Sequence, residues 1–313
     1  MFAGVNSYFL HTLTQISQLE ILSALQSAGV TVVRIFITSI SAGGKDTDSL
    51  GATDLETDTI GFYNDAILSQ IDQLIVNVIA HGIKLQITMH DRWSLDGTWN
   101  ICDAYCKSFV SRSSNLDDFY SGSNAQNAFD ARLEHIVTHK NSFLADRAWM
   151  DISEGIYSFE IENEAFGSSS ITNSDWWCAR AQKLRTVIEN STILIGTGGG
   201  QDFAASLAIA NFECSAIDVI GIHSYDNSIS VFKSNLQDAY FLGAQHGKIV
   251  IMQEFGATSS KADWISAVAN VCNSLNIPWL PWEVSTVSQY SDYEFGTNES
   301  QIWTALTDSA ASI

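Results

Sequence analysis

Glu164 and Glu254 each close an apolar run: Ile156-Tyr157-Ser158-Phe159-Glu160-Ile161-Glu162-Asn163-Glu164 and Ile249-Val250-Ile251-Met252-Gln253-Glu254-Phe255-Gly256. Each run reads as a short buried strand, so each delivers a carboxyl at a strand's C-terminal tip. Retaining glycoside hydrolysis requires such a pair: one carboxyl protonates the leaving oxygen, and the other attacks the sugar as nucleophile. Acidic residues commonly end strands, so neither run argues alone. The pair, set in a repeating pattern, does.

That pattern is an alternation of strand-like and helix-like stretches along the chain. Apolar runs at 2–6, 31–36, 84–89, 156–161, 192–196, 217–222, 248–252 and 277–282 predict eight strands. Stretches with apolar residues three and four apart predict helices at 19–28, 63–80, 125–137, 176–188, 230–244 and 262–275. Gly29, Gly82 and Gly247 follow helical segments, where a left-handed cap is wanted. Eight strands in 313 residues fit one closed (β/α)8 barrel, a single domain over 1–313. The strands are apolar on both faces, as parallel strands wrapped by helices should be. A doubly wound sheet would want a Gly-rich turn after the first strand, and Gly4-Val5-Asn6-Ser7 does not supply one. Gly198-Gly199-Gly200 lacks the lysine and hydroxyl of a phosphate loop and reads as a flexible loop at the barrel top. Two long stretches, 38–59 and 90–123, follow strands and should therefore lie on the catalytic face.

In a barrel, groups at the C-terminal strand ends converge on one cleft. On this chain they are Arg34, His90, Asn163 with Glu164, His223 with Tyr225, Glu254 and Trp282. One carboxyl must keep its proton while the other stays charged, so their surroundings must differ. Arg34 and the Tyr225 hydroxyl would hold Glu254 in the charged form. That charge, about 5 Å away, would keep the proton on Glu164.

The chain resembles glycoside hydrolase family 5, the retaining (β/α)8 barrels that include cellulases and mannanases, over nearly its whole length. The resemblance rests on Val33-Arg34-Ile35, Ile161-Glu162-Asn163-Glu164, His223-Ser224-Tyr225, Gln253-Glu254-Phe255-Gly256 and Trp282. Gly4-Val5-Asn6-Ser7-Tyr8 is similar to the first strand of fungal mannanase-like members. The resemblance implies Glu164 as acid/base, Glu254 as nucleophile, and Asn163 as a donor to the sugar 2-hydroxyl. It also implies that Tyr225 and Arg34 tune Glu254 and that His223 assists the acid/base. His90 would bind a sugar hydroxyl, and Trp282 would form the floor beneath that sugar. Many members follow the acid/base with proline; here Ala165-Phe166-Gly167 follows, which leaves the chemistry untouched and weakens any subfamily assignment.

Other residues have blander readings. Glu160 is expected to pair with Arg34 as a buried structural partner, and no role suggests itself for Glu162. Trp93 and Trp99 are candidate sugar platforms. Asp91, Asp226 and Glu283 adjoin site positions. His11, His81, His135, His139 and His246 are expected at the surface or at helix ends.

Composition bounds the remaining choices. With 35 acidic and 15 basic residues, the net charge of −20 disfavours nucleic acid and anionic membranes as partners and suits a neutral β-linked polysaccharide or oligosaccharide. No apolar run reaches the roughly eighteen residues a membrane helix needs. Cys102 and Cys106 are spaced for a short loop disulfide, and no His/Cys set completes a zinc site. Two sequons, Asn190-Ser191-Thr192 and Asn298-Glu299-Ser300, suit secretion, although Met1-Phe2-Ala3-Gly4 has no basic leader start. The expectation is a secreted, monomeric retaining hydrolase without metal or organic cofactor. Its substrate would be β-1,4-mannan first and β-glucan second. The rival reading is a barrel that binds carbohydrate without hydrolysing it.

Overall fold

The structure, a computed structural model, describes all residues except 111–114, 168–172, 190 and 287–291. Eight strands form one sheet: β1 Gly4–Asn6, β2 Val32–Phe36, β3 Lys84–Thr88, β4 Ile156–Asn163, β5 Leu194–Gly198, β6 Val219–His223, β7 Ile249–Phe255 and β8 Trp279–Pro281. They are hydrogen-bonded in chain order, and each adjacent pair runs parallel. Closure falls to a parallel bridge from Ala3 to Trp279 and to Asn6. The Asn6 side-chain amide donates to the carbonyls of Gln253 (2.9 Å), Leu280 (3.2 Å) and Pro281 (3.3 Å). A side chain thus completes the barrel where strand pairing is short. The chain folds as the (β/α)8 barrel its alternation predicts.

Helices α1 Gln15–Ser27, α2 Ala66–Ala80, α3 Ser123–Thr138 and α4 Trp176–Val187 follow the first four strands. Two short helices, Phe203–Ser206 and α5 Ile209–Glu213, follow β5. Then come α6 Ile229–His246, α7 Lys261–Leu275 and α8 Ser300–Ala310, the last without a counterpart among the expected helices. Gly247 caps α6 with φ of 67°, and Gly29 and Gly82 also adopt left-handed backbone after their helices.

The core is layered. A large apolar cluster fills the space between sheet and helices, and Val32, Val219, Ile251 and Leu280 form a small separate cluster that floors the barrel. Along β2, Arg34 lies two residues beyond Val32 and so shares its face. On the neighbouring strands Gln86 donates to Ser158 Oγ (3.1 Å), and two residues further Thr88 donates to Glu160 (2.6 Å). The interior therefore passes from apolar floor to polar layer to charged layer toward the C-terminal rim.

Both long loops are anchored. Fully buried Arg132 on α3 donates to Asp54 (2.8 and 3.1 Å), Glu56 (3.4 Å) and the carbonyls of Met89 and Ile37. Cys102 is disulfide-bonded to Cys106 as its spacing suggests, and a second bond joins Cys178 to Cys214, while Cys272 is free and buried. The residue that would carry a glycan in the first sequon, Asn190, lies outside the described residues.

Two expectations need correcting. Gly198-Gly199-Gly200 is no open loop, because all three residues are buried. A Cβ on Gly198 would lie 2.0 Å from the Glu162 carbonyl, so glycine is what lets β5 approach β4. His11 is not a surface residue: it is 3% exposed, neither ring nitrogen has a partner among the described residues, and burial lowers its pKa to about 3.

Candidate active site

Both carboxylate-bearing strands are irregular where the site begins. On the β6–β7 ladder Ile222 faces Met252 but His223 faces Glu254, which leaves Gln253 as an extra residue. On the β4–β5 ladder Glu160 faces Gly196 but Asn163 faces Gly198. Such bulges break the two-residue alternation and re-aim side chains. They let Gln253 and Glu254 both reach the barrel interior, and likewise Glu160, Asn163 and Glu164. Glu164 itself sits just past β4 with φ of 47°, a left-handed conformation uncommon outside glycine.

Arg34 organises the Glu254 side. Its guanidinium donates to Glu160 (2.8 Å), Asn163 Oδ1 (2.9 Å), Asn6 Oδ1 (3.2 Å) and Glu254 Oε1. The Tyr225 hydroxyl donates to Glu254 Oε2 at 3.0 Å. Arg34 is thus at once the structural partner of Glu160 and a direct contact of Glu254. Burial raises the Glu254 pKa, with Glu164 adding to the rise, while His223 and Arg34 act to lower it. Arg34 and the Tyr225 hydroxyl were expected to hold Glu254 low. Burial outweighs their pull. Burial also pushes Tyr225 well above the ordinary phenol range, so it remains a donor.

The Glu164 side has different neighbours. Trp93 Nε1 donates to Glu164 Oε2 at 2.9 Å, and His223 Nδ1 lies 3.1 Å from Glu164 Oε1 and 3.5 Å from Glu254 Oε2. One ligand atom each of Glu164, His223 and Glu254 lie within 4.8 Å of one another. These are the only three side chains among the described residues grouped closely enough to hold a cation. The carboxylate oxygens already accept from Arg34, Tyr225 and Trp93, so hydrogen bonding accounts for the arrangement. Asn163 is fixed in orientation, with Oδ1 toward Arg34 and Nδ2 donating to Asp91 at 3.0 Å. Burial raises Asp91 to about 7.

His90 does not stand where a sugar could reach it. It is fully buried, and its two ring nitrogens pair with Glu162 (2.6 Å) and Asp103 (2.7 Å). Neither nitrogen is left for a hydroxyl. Burial opposes its charge, but the two carboxylates outweigh burial and raise it to about 10. The same contact accounts for Glu162, which also accepts from the Tyr120 hydroxyl at 2.8 Å.

Trp282 is half-buried and stacks on Tyr8, with ring centres 5.6 Å apart and planes 8° from parallel. Its neighbour Glu283 is buried and, with Glu294, binds Lys45 of the 38–59 loop. Burial raises Glu283 to about 7 against the pull of Lys45. A cleft of about 880 Å³ opens between the two long loops, lined by Tyr8, Ser39, Lys45 and Trp99 among others. Trp99 is 78% exposed and touches neither glutamate, whereas Trp93, expected as a sugar platform, contacts Glu164 directly. Asp226 lines a separate hollow of about 580 Å³ beside Tyr225.

Sequence reasoning missed Gln253, Asp103, Tyr120 and Lys45. Gln253 adjoins Glu254, and regular alternation would turn it away from the site. Only the bulge brings it in.

Residues 11–245 match the family described as GH family 5 beta-mannosidase-like. No curated protein matches the chain significantly in sequence. Among solved structures, an endo-1,4-beta-mannanase from Rhizomucor miehei superposes with a TM-score of 0.79 at 20% identity, over 99% of this chain and 94% of that one. The hyperthermostable endo-1,4-beta-D-mannanase from Thermotoga petrophila RKU-1 gives 0.80 at 14% identity, over 100% and 99%. A family 5 mannosidase from Rhizomucor miehei gives 0.73 at 14% identity, over 100% and 92%.

Proposed function

Since the chain belongs to glycoside hydrolase family 5, and is thereby a retaining β-glycoside hydrolase, we propose that it cleaves β-1,4-linked mannan or its oligosaccharides through a covalent glycosyl-enzyme. Glu254 attacks the anomeric carbon while Glu164 protonates the departing oxygen. Glu164 then takes a proton from water as that water displaces Glu254, so the product keeps its configuration. Arg34 and Tyr225 hold the attacking carboxylate by both oxygens. Asn163 has one amide hydrogen committed to Asp91, and the second is available to the sugar 2-hydroxyl. Trp282 provides an indole face for the sugar ring beside the nucleophile.

The observation that carries this reading is the approach of Glu164 and Glu254 within 4.8 Å around His223, each carboxyl with different donors. Such closeness suits direct attack by a carboxylate rather than by an interposed water. Mannan as substrate is favoured by the mannosidase-like family match and by the mannanases and mannosidase to which the barrel is similar. The two disulfides and the acidic surface favour work outside the cell.

The test is a product profile on β-mannans, β-glucans and their oligosaccharides, with Glu164→Ala run alongside. Mannan-derived products are expected, and their lengths report internal or terminal cutting. Glu164→Ala is expected to slow natural glycans by roughly a hundredfold or more and activated aryl glycosides far less. Release from β-glucans alone would overturn the substrate. Equal losses on both substrate types would remove Glu164 from the acid role.

A further inference from the structure

We propose that Gln253 is a positioning residue that locks the tautomer of His223, so that His223 Nδ1 and Glu164 Oε1 share a single proton. The inference rests on Glu164 being the acid/base, and its first test does not.

The hydrogen bonds leave one consistent orientation. Glu160 is ion-paired with Arg34 and accepts from Thr88, so its carboxylate offers only acceptors. Gln253 therefore turns its NH2 group toward Glu160 Oε1, at 2.5 Å, and its carbonyl oxygen toward His223 Nε2, at 3.0 Å. That nitrogen must carry a hydrogen to donate. Two glycines hold the pair in place. A Cβ on Gly221 would lie 2.2 Å from Gln253 Oε1, and one on Gly199 would lie 2.3 Å from His223 Cδ2. The amide and the imidazole occupy slots that no other residue type at those glycines would leave open. The bulge that aims Gln253 inward belongs to the same strand as the proposed nucleophile.

With Nε2 protonated, a neutral His223 presents a lone pair at Nδ1 to Glu164 Oε1, 3.1 Å away. A deprotonated Glu164 would then meet lone pair against lone pair. One proton between the two atoms relieves this, whether it resides on the carboxyl or on the imidazole. The other charged group facing the ring is Glu254, whose Oε2 lies 3.5 Å from Nδ1; Arg34 and Tyr225 donate to Glu254 in turn, and Glu160 accepts from Gln253. Without Gln253, neutral His223 can carry its hydrogen on Nδ1 instead and donate to the ionised form of Glu164, so that the protonated form gives up its proton more readily.

The first test is nitrogen NMR of the wild-type imidazoles, with His223 assigned by loss of its signals in His223→Gln. In its neutral form, His223 is expected to show a protonated Nε2 and an unprotonated Nδ1. The opposite tautomer would overturn the proposal, and because no substrate is involved this result is independent of the glycosidase reading. The second test is the pH profile of kcat/KM on a glycan with a poor leaving group. Gln253→Met, close in volume but without the amide, is expected to move the alkaline limb down by about one pH unit. A uniform loss of rate with the limb unmoved would reduce Gln253 to packing. A wild-type protein with the expected tautomer but no turnover on any glycan would sink the proposed function and leave only the tautomer assignment standing.

Discussion

Arg34 and Arg132 are both fully buried, and each binds two carboxylates, yet they do different work. Arg132 reaches from a helix to Asp54 and Glu56 in the loop after β2, and all three charged groups are sealed from solvent. Arg34 stands inside the barrel, and one of its carboxylates, Glu254, retains slight exposure at the rim and accepts a tyrosine hydroxyl. A buried ion pair therefore marks a site only when one member faces the open end of the barrel. Otherwise it is a loop anchor, held because breaking it leaves an uncompensated charge.

The comparison can be broken at either arginine's partners. Glu254→Ala should lower turnover by roughly a thousandfold or more while oligosaccharide binding and melting temperature stay close to wild type, because Arg34 keeps Glu160 and Asn6. Calorimetric binding beside a rate assay checks it, and a collapsed fold would make Glu254 an anchor like Asp54. Arg132→Met should do the reverse, lowering unfolding free energy by about 3–5 kcal/mol with rate per folded molecule little changed at low temperature. Denaturant titration measures it, and a large rate loss without destabilisation would merge the two roles.

His90 sharpens the contrast, being a third buried cation, one that can titrate. Its pKa lies above its unfolded value, so its contribution to stability is full below about 6.5 and is lost as pH rises toward about 10. Unfolding curves of wild type and His90→Gln across that window should converge at high pH. Divergence there would contradict the charged pairing with Glu162 and Asp103. The smallest effect belongs to Trp99 at the rim of the cleft. Trp99→Ala should raise KM for long oligosaccharides several-fold and leave short aryl glycosides unchanged, and an equal change on both would take Trp99 out of substrate binding.

Much of this was legible in the residues. The eight strands were readable because parallel strands under helices are apolar on both faces, and the regular ladders of β1, β2 and β3 keep the register such a pattern assumes. Arg34, Asn163, Glu164, His223, Tyr225 and Glu254 were readable as a group because each ends or nearly ends a strand, and the structure brings them together. The rest depended on register. The bulges in β4 and β7 change which side chains point inward, so Gln253 was invisible. His90 was misread because strand-end position does not reveal Asp103, which returns from the following loop to take its second nitrogen. Lys45 binds Glu283 across 238 residues of chain, and local pattern carries no sign of that contact.

The most direct test of the account is covalent capture of the nucleophile. A 2-deoxy-2-fluoro-β-mannosyl fluoride should form the glycosyl-enzyme and hydrolyse slowly, and peptide mass mapping should find the added sugar on Glu254, with no labelling in Glu254→Ala. A label on Glu164, on Glu160 or on any other carboxyl, in an enzyme that turns over mannan, would contradict the assignment of the two carboxylates.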